Sequence, residues 1–209
     1  MVTHLHTIGL TRIGVAMYDD SFGTDSMAGA RKGFDTAKLD PPFVEKVDRA
    51  KPDFTQLVKK VQTTDPQAIL FFAAGQAVVD GVKAVRAIGW RGQVVSLSNN
   101  ASSGFIKLLG DQARGTVVAQ VFPSERSAIP MVQQLRALAA AKSVSSASPA
   151  MLEGFAAAKV LVEGLRRAGP APTSARLIKA LESIDRFNLG GMEFGYSATD
   201  HTGLDYTDL

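Results

Sequence analysis

Three short stretches hold the residue types able to do chemistry. The first, "YDDSFGTD", Tyr18 to Asp25, puts two aspartates, an aromatic and a glycine where an apolar run gives way to a helix. Asp19 and Asp20 are suited to a ligand or a cation, or to capping the following helix. Asp20, Ser21, Thr24 and Asp25 are all good capping types, and capping is the preferred reading. Phe22 is an aromatic held in a loop among polar neighbours, exposed unless a ligand or an opposing lobe covers it.

The second stretch, "FFAAGQA", places Ala74, Gly75 and Gln76 where a helix begins. Small residues there let a ligand approach backbone N–H groups and the positive end of the helix, although they serve close helix-to-strand packing equally well. The third, "SLSNNASSG", brings Ser98, Asn99 and Asn100 together. Hydroxyls and amides suit a ligand held by neutral hydrogen bonds, and they are also ordinary turn formers and caps.

Several enzyme signatures are missing: no GxGxxG follows the first apolar run, and there is no GxxxxGK[ST], GxSxG or HExxH. Gly23, Gly29 and Gly33 are spaced too widely for a dinucleotide fingerprint. His4 and His6 lie two apart, on different faces of a helix ended by Gly9, and read as surface histidines; His201 reads as a turn residue. No metal, no cofactor and no acid–base constellation is expected, and hence no catalysis.

The elements that position the three stretches alternate regularly. Arg12 to Met17 has the length of a buried strand, and Thr24 to Ala37 is a helix able to lie close on a sheet. Phe43 to Arg49 alternates apolar and charged residues at period two, as an edge strand does. "PDFTQLVKKVQ" follows as a helix capped by Asp53, with Phe54, Leu57, Val58 and Val61 on one face. "PQAILFFAAG" is a strand, "QAVVDGVKAVRAIGW" a helix, "GQVVSLSNN" a strand, "SSGFIKLLG" a short helix and "RGTVVAQVF" a last strand. Such alternation predicts an α/β fold, a wound parallel sheet flanked by helices, ending near Phe122. All three chemistry-bearing stretches then emerge at one sheet edge, where wound sheets hold ligands.

The character changes at "PSERSAIP". Residues 1–122 form the α/β lobe, whereas residues 123–209 read as three helices and a strand-and-turn tail. The alanine run Ala139 to Ala141 and "SVSSAS" mark a join between helices. Apolar stripes such as Leu152, Phe155, Ala156, Val160 and Leu161 need a sheet or helix to cover, and the sheet they suit is not in this sequence. They pack back on the first lobe, pair with a second copy, or leave an apolar face exposed.

Composition sets outer limits. The 209 residues allow one substantial core or two small ones. The sequence pI is about 9.2, but the net charge is only +3 and the basic residues are scattered among acids, which argues against nucleic acid as a partner. The apolar runs are too short for a membrane helix. Zero cysteines exclude disulfides and thiolate chemistry while leaving the compartment open. "MVTHLHTIGL" has no basic start followed by an apolar run, so the chain as it stands is not expected to be exported.

Taken together, "RIGVAMYDDSFGTDSMAGARKGF", "FTQLVKKVQTTDPQAILFFAAGQAVVDGVKAVRAIGW", "MLEGFAAAKVLVEGLRRAG" and "LIKALESIDRFNLGGMEFGYSATDHTG" resemble the periplasmic solute-binding proteins of branched-chain amino acid type ABC transporters. The resemblance covers nearly the whole chain, with the motifs in the family's order. It implies two wound lobes that close on a small-molecule ligand by a hinge. It also implies a periplasmic location and a membrane permease as partner. On this pattern residues 1–122 are the second, ligand-binding lobe. Residues 123–209 return to the first lobe, most of which the chain lacks.

The family's contacts fall on Phe22, on Ala74, Gly75 and Gln76, and on Ser98, Asn99 and Asn100. Amino-acid binders of the family carry an acidic residue in the third loop to pair with the ligand's ammonium group; here Ser98 stands beside Asn99. The resemblance implies a small amino acid or an organic acid as ligand; an unpaired ammonium in a dry cleft costs several kcal/mol, so the serine weakens the amino-acid reading and favours an aromatic or aliphatic carboxylate. The competing readings are a ligand-sensing domain of a receptor or regulator with the same fold and, further off, an enzyme on a wound sheet.

Overall fold

Six consecutive buried residues, Ile13–Tyr18, form β1, an inner strand of the first unit's sheet. A strand apolar on both faces folds only where helices cover both sides of its sheet. In the computed structural model, which describes residues 1–144 and 146–209, they do so. The backbone groups into two units, Met1–Gln120 and Val121–Asp208.

In the first unit, β2 (Val44–Val47), β3 (Ala68–Phe72), β4 (Gln93–Ser96) and β5 (Thr116–Val118) join β1 in the order β2-β1-β3-β4-β5, all parallel. Side chains alternate between the faces. Ile13, Val15, Met17, Leu70 and Phe72 pack with α1 (Val2–Thr7) and α2 (Ser21–Ala37) through Leu5 and Phe34. Ala16, Tyr18, Ile69 and Phe71 face α3 (Thr55–Thr64), α4 (Gln76–Ala87) and α5 (Ser103–Leu109), where Leu57, Val61, Val82 and Phe105 complete the core. The α/β fold is the one expected.

Three local expectations shift. Helix α2 begins at Ser21 rather than Thr24, so Phe22 lies in its first turn and not in a loop. Asp53 does not cap α3 from the cap position, which Phe54 occupies. Its carboxylate instead accepts from the Thr55 N–H at 2.9 Å and hydroxyl at 2.7 Å, a turn placed one residue early. Of "RGTVVAQVF", only three residues form strand β5.

The second unit consists of α6 (Pro130–Ala141), α7 (Pro149–Ala168), α8 (Ser174–Glu182) and a hairpin of β6 (Phe187–Asn188) and β7 (Glu193–Phe194). Met131, Leu135, Leu152, Ala156, Leu189 and Phe194 form its small core. Ser148 caps α7 and Thr173 caps α8. Ala139 to Ala141 complete α6 instead of joining helices, because alanine is the strongest helix former and Ala139 is buried. The "SVSSAS" join follows, although Ser145 within it lies outside the described residues. The hairpin turn is held by the Asn188 side chain, whose oxygen accepts from the Gly190 and Gly191 N–H groups at 2.7 and 2.9 Å.

Candidate ligand-binding site

Parallel pairing of β1 with β3 and of β3 with β4 sends the chain out of the sheet at one edge after Tyr18, Phe72 and Ser96. The segments carrying Phe22, Ala74 to Gln76 and Ser98 to Asn100 therefore share that edge. A side-chain network binds the second to the third. The Asn100 amide, 1% exposed, donates to the Ala73 carbonyl at 3.1 Å and to the Ser96 hydroxyl at 2.8 Å, while its oxygen accepts from the Gly75 N–H at 2.8 Å. The Tyr18 hydroxyl donates to the Ala74 carbonyl at 3.2 Å, tying in the first strand.

This network sorts the seven candidates. Asn100 is spent on protein groups and positions the edge rather than facing a ligand. Gly75 turns with φ of 53° and ψ of −126°, a conformation that favours glycine, and its N–H is taken by Asn100. Ser98 is half-buried with no side-chain hydrogen bond to the described residues, and Asn99 is exposed, its amide 3.5 Å from the Ala73 carbonyl. Gln76 is exposed and donates to Asp80 at 2.7 Å. Ala74 is half-buried against the core. Phe22 is also half-buried, its ring centroid 6.3 Å from that of Tyr18 at 56°. The Tyr18 ring and the Arg49 guanidinium give Phe22 partial cover.

Both aspartates are engaged. The Asp20 carboxylate caps α2 by accepting from the Gly23 N–H at 3.1 Å. A side chain on Gly23 would strike the Tyr18 carbonyl, which explains the glycine. The other Asp20 oxygen accepts from Arg49 Nε at 2.6 Å, and Asp19 pairs with Lys46 at 2.8 Å. Arg49, more than the Gly23 N–H, holds the Asp20 carboxyl below the usual carboxylate range, and Asp20 in turn raises Arg49.

Arg49, outside the seven candidates, lies beside them at this edge. Its guanidinium lies 3.9 Å from the centroid of the Tyr18 ring and 5.5 Å from that of Phe22. With Asp19, Lys46, Asp48 and Ala50 it lines an open depression of about 550 Å³. Strand β2 is parallel to β1, so its carboxyl end leaves the sheet at the same edge as the other three. The alternation of Phe43 to Arg49 marks a strand, and only its parallel pairing with β1 places Arg49 at this edge.

No group of three or more His, Cys, Asp or Glu side chains is placed to hold a metal among the described residues, and His4 and His6 are exposed. No described helix is long and apolar enough to cross a membrane.

A five-stranded parallel sheet with its polar loops gathered at one edge is the architecture of ligand-binding lobes. Residues 1–206 match the sequence model of a family described as periplasmic binding protein, and the chain belongs to that family. Among solved structures, a substrate-binding periplasmic protein from Ralstonia solanacearum is 30% identical with a TM-score of 0.88, over 100% of this chain and 60% of that one. A possible leucine/isoleucine/valine-binding protein from Rhodopirellula baltica SH 1 superimposes at a TM-score of 0.89 and 22% identity, over 99% and 58%. A branched-chain amino acid ABC transporter protein from Thermus thermophilus with bound valine gives 0.79 and 19%, over 99% and 59%. The chain thus spans about 60% of the length of the structures it matches. A search of curated proteins finds no match.

Proposed function

We propose that this chain is the solute-binding component of an ABC importer, located in the periplasm. Residues 1–122 supply the second lobe's jaw of a hinged clamp, and residues 123–209 are the helical part of the other lobe. The solute is a small organic carboxylate, aromatic or aliphatic, which the closed form presents to a membrane permease. No bond is made or broken.

The observation that carries the ligand class is the composition of the third loop. Ser98 and Asn99 offer only neutral groups at the edge, and Asn100 turns inward. Asp19 and Asp20 are occupied by Lys46 and Arg49. An ammonium group buried against this loop lacks a carboxylate, at a cost of several kcal/mol. The valine held by the Thermus thermophilus relative is a property of that protein, and at 19% identity the likeness carries the fold alone.

Titration calorimetry with benzoate, phenylacetate and hexanoate against L-leucine and L-valine tests the reading. The acids are expected to bind more tightly than either amino acid. Leucine or valine bound more tightly than every acid overturns the ligand class.

A further inference from the structure

We infer that Arg49 is the anion anchor of this edge, the residue that selects a carboxylate-bearing solute by hydrogen-bonding its anionic end. The inference rests on the reading of the edge as a ligand site and adds to it a residue and a recognition geometry.

The guanidinium is held from two sides. Its face lies 3.9 Å from the Tyr18 ring centroid, a cation–π contact with a side chain only 4% exposed, and its Nε donates to Asp20 at 2.6 Å. Asp20 is itself fixed by the Gly23 N–H at the start of α2. Such a clamp removes the rotamer freedom that an arginine ordinarily loses on binding. Neither Nη group makes a hydrogen bond to a described residue, and half of the side chain is exposed in the depression. Arg49 therefore presents preoriented, unused donors, the arrangement that recognises a planar carboxylate.

The neighbouring charges leave those donors available. Asp19 is paired with Lys46, and the Asp48 carboxylate is turned onto the N–H groups of Ala50 and Lys51 at 2.6 and 3.3 Å. Each acid of the depression thus has its own donor, and none closes the Arg49 Nη groups. Phe22, half-buried and 5.5 Å from the guanidinium, adds an apolar edge, which favours a flat aromatic acid.

The test is calorimetric binding of benzoate and of its uncharged isostere benzamide to the chain and to its Arg49→Met and Arg49→Lys variants. The chain is expected to prefer benzoate by about tenfold or more. In Arg49→Met the preference collapses toward unity while urea denaturation reports an intact fold, and Arg49→Lys recovers part of the preference. Benzoate bound by the chain with a preference unaltered in both variants overturns the role of Arg49 and leaves the proposed ligand class standing. Benzoate that fails to bind the chain overturns the role of Arg49, and the ligand class is then decided by phenylacetate and hexanoate against the amino acids.

Discussion

The carboxyl edge of the first unit and the α7–α8 face of the second differ in how their exposed groups are satisfied. At the edge, polar side chains are locked by specific partners: Asn100 by Gly75, Ala73 and Ser96, Asp20 by a helix N-terminus and Arg49. On the helical face, Leu161, Val162, Leu165 and Ile178 are between 39% and 65% exposed, and an apolar groove of about 380 Å³ runs among Leu161, Ile178, Leu181 and Tyr196. The edge carries specificity because burial forces each polar group to find one partner. The helical face carries surface that is hydrophobic but not directional. Order in the first place comes from geometry, and in the second only from whatever area is covered.

The contrast predicts a steep gradient of mutational cost. Phe71, buried under α3 and α4, is expected to lose about 3–5 kcal/mol of stability as Phe71→Ala, since both faces of its sheet are filled and little can collapse into the gap. Urea denaturation checks this. A loss below about 1 kcal/mol would mean that the sheet is looser than its packing implies.

Asn100→Leu comes next. It keeps the volume but strands the Gly75 N–H, the Ala73 carbonyl and the Ser96 hydroxyl, for an expected loss of about 2–3 kcal/mol. The readout that separates a latch from ordinary core packing is local. Hydrogen exchange at the Gly75 amide should accelerate far more than exchange at β1.

How much of this was legible in sequence follows from the same contrast. Buried strands announce themselves as apolar runs, so β1, β3 and β4 and the shared edge could be read from Ile13–Tyr18, Ala68–Phe72 and Gln93–Ser96. The roles of single polar residues at the edge could not. "SNN" shows two adjacent asparagines of identical type, and only the turn at Ser98–Asn100 decides that Asn100 points inward while Asn99 stays exposed. Arg49 was missed for a related reason: an arginine ending an edge strand looks like a solvated charge until Tyr18 and Asp20 are seen to hold it. In the helical unit the stripes were legible, but a stripe states only that something covers it.

Glu163 sharpens the comparison from the other side, as the helical unit's own clamped charge. Nearly buried, it accepts from Arg166 at 2.8 Å and from Arg167 at 2.7 Å, and these bonds lower its pKa from the ordinary 4.5 to about 2. A carboxyl depressed in the folded state contributes stability in full above its unfolded value and loses it as pH falls toward the folded one. The stability difference between the wild-type chain and Glu163→Gln is therefore expected to be constant above about pH 5 and to close between the ordinary carboxylate value and about pH 2. Denaturation midpoints across pH 6 to 2 measure it. A difference that persists at pH 2 would assign the effect to packing rather than charge.

The smallest effect belongs to the open face itself. Val162 is 65% exposed and Ile178 53%, so Val162→Ser with Ile178→Ser removes little that folding has buried. The pair is expected to change unfolding stability by less than about 0.5 kcal/mol per site, against about 2–5 kcal/mol for Leu152→Ala on the covered side of α7. Val162 and Leu152 share helix α7, with its length and capping, so their difference in cost reports chiefly how each is covered. A large loss from the serine pair, measured by urea denaturation at low protein concentration, would show that this face is covered in solution, and the distinction between a satisfied edge and an open face would fail at that point.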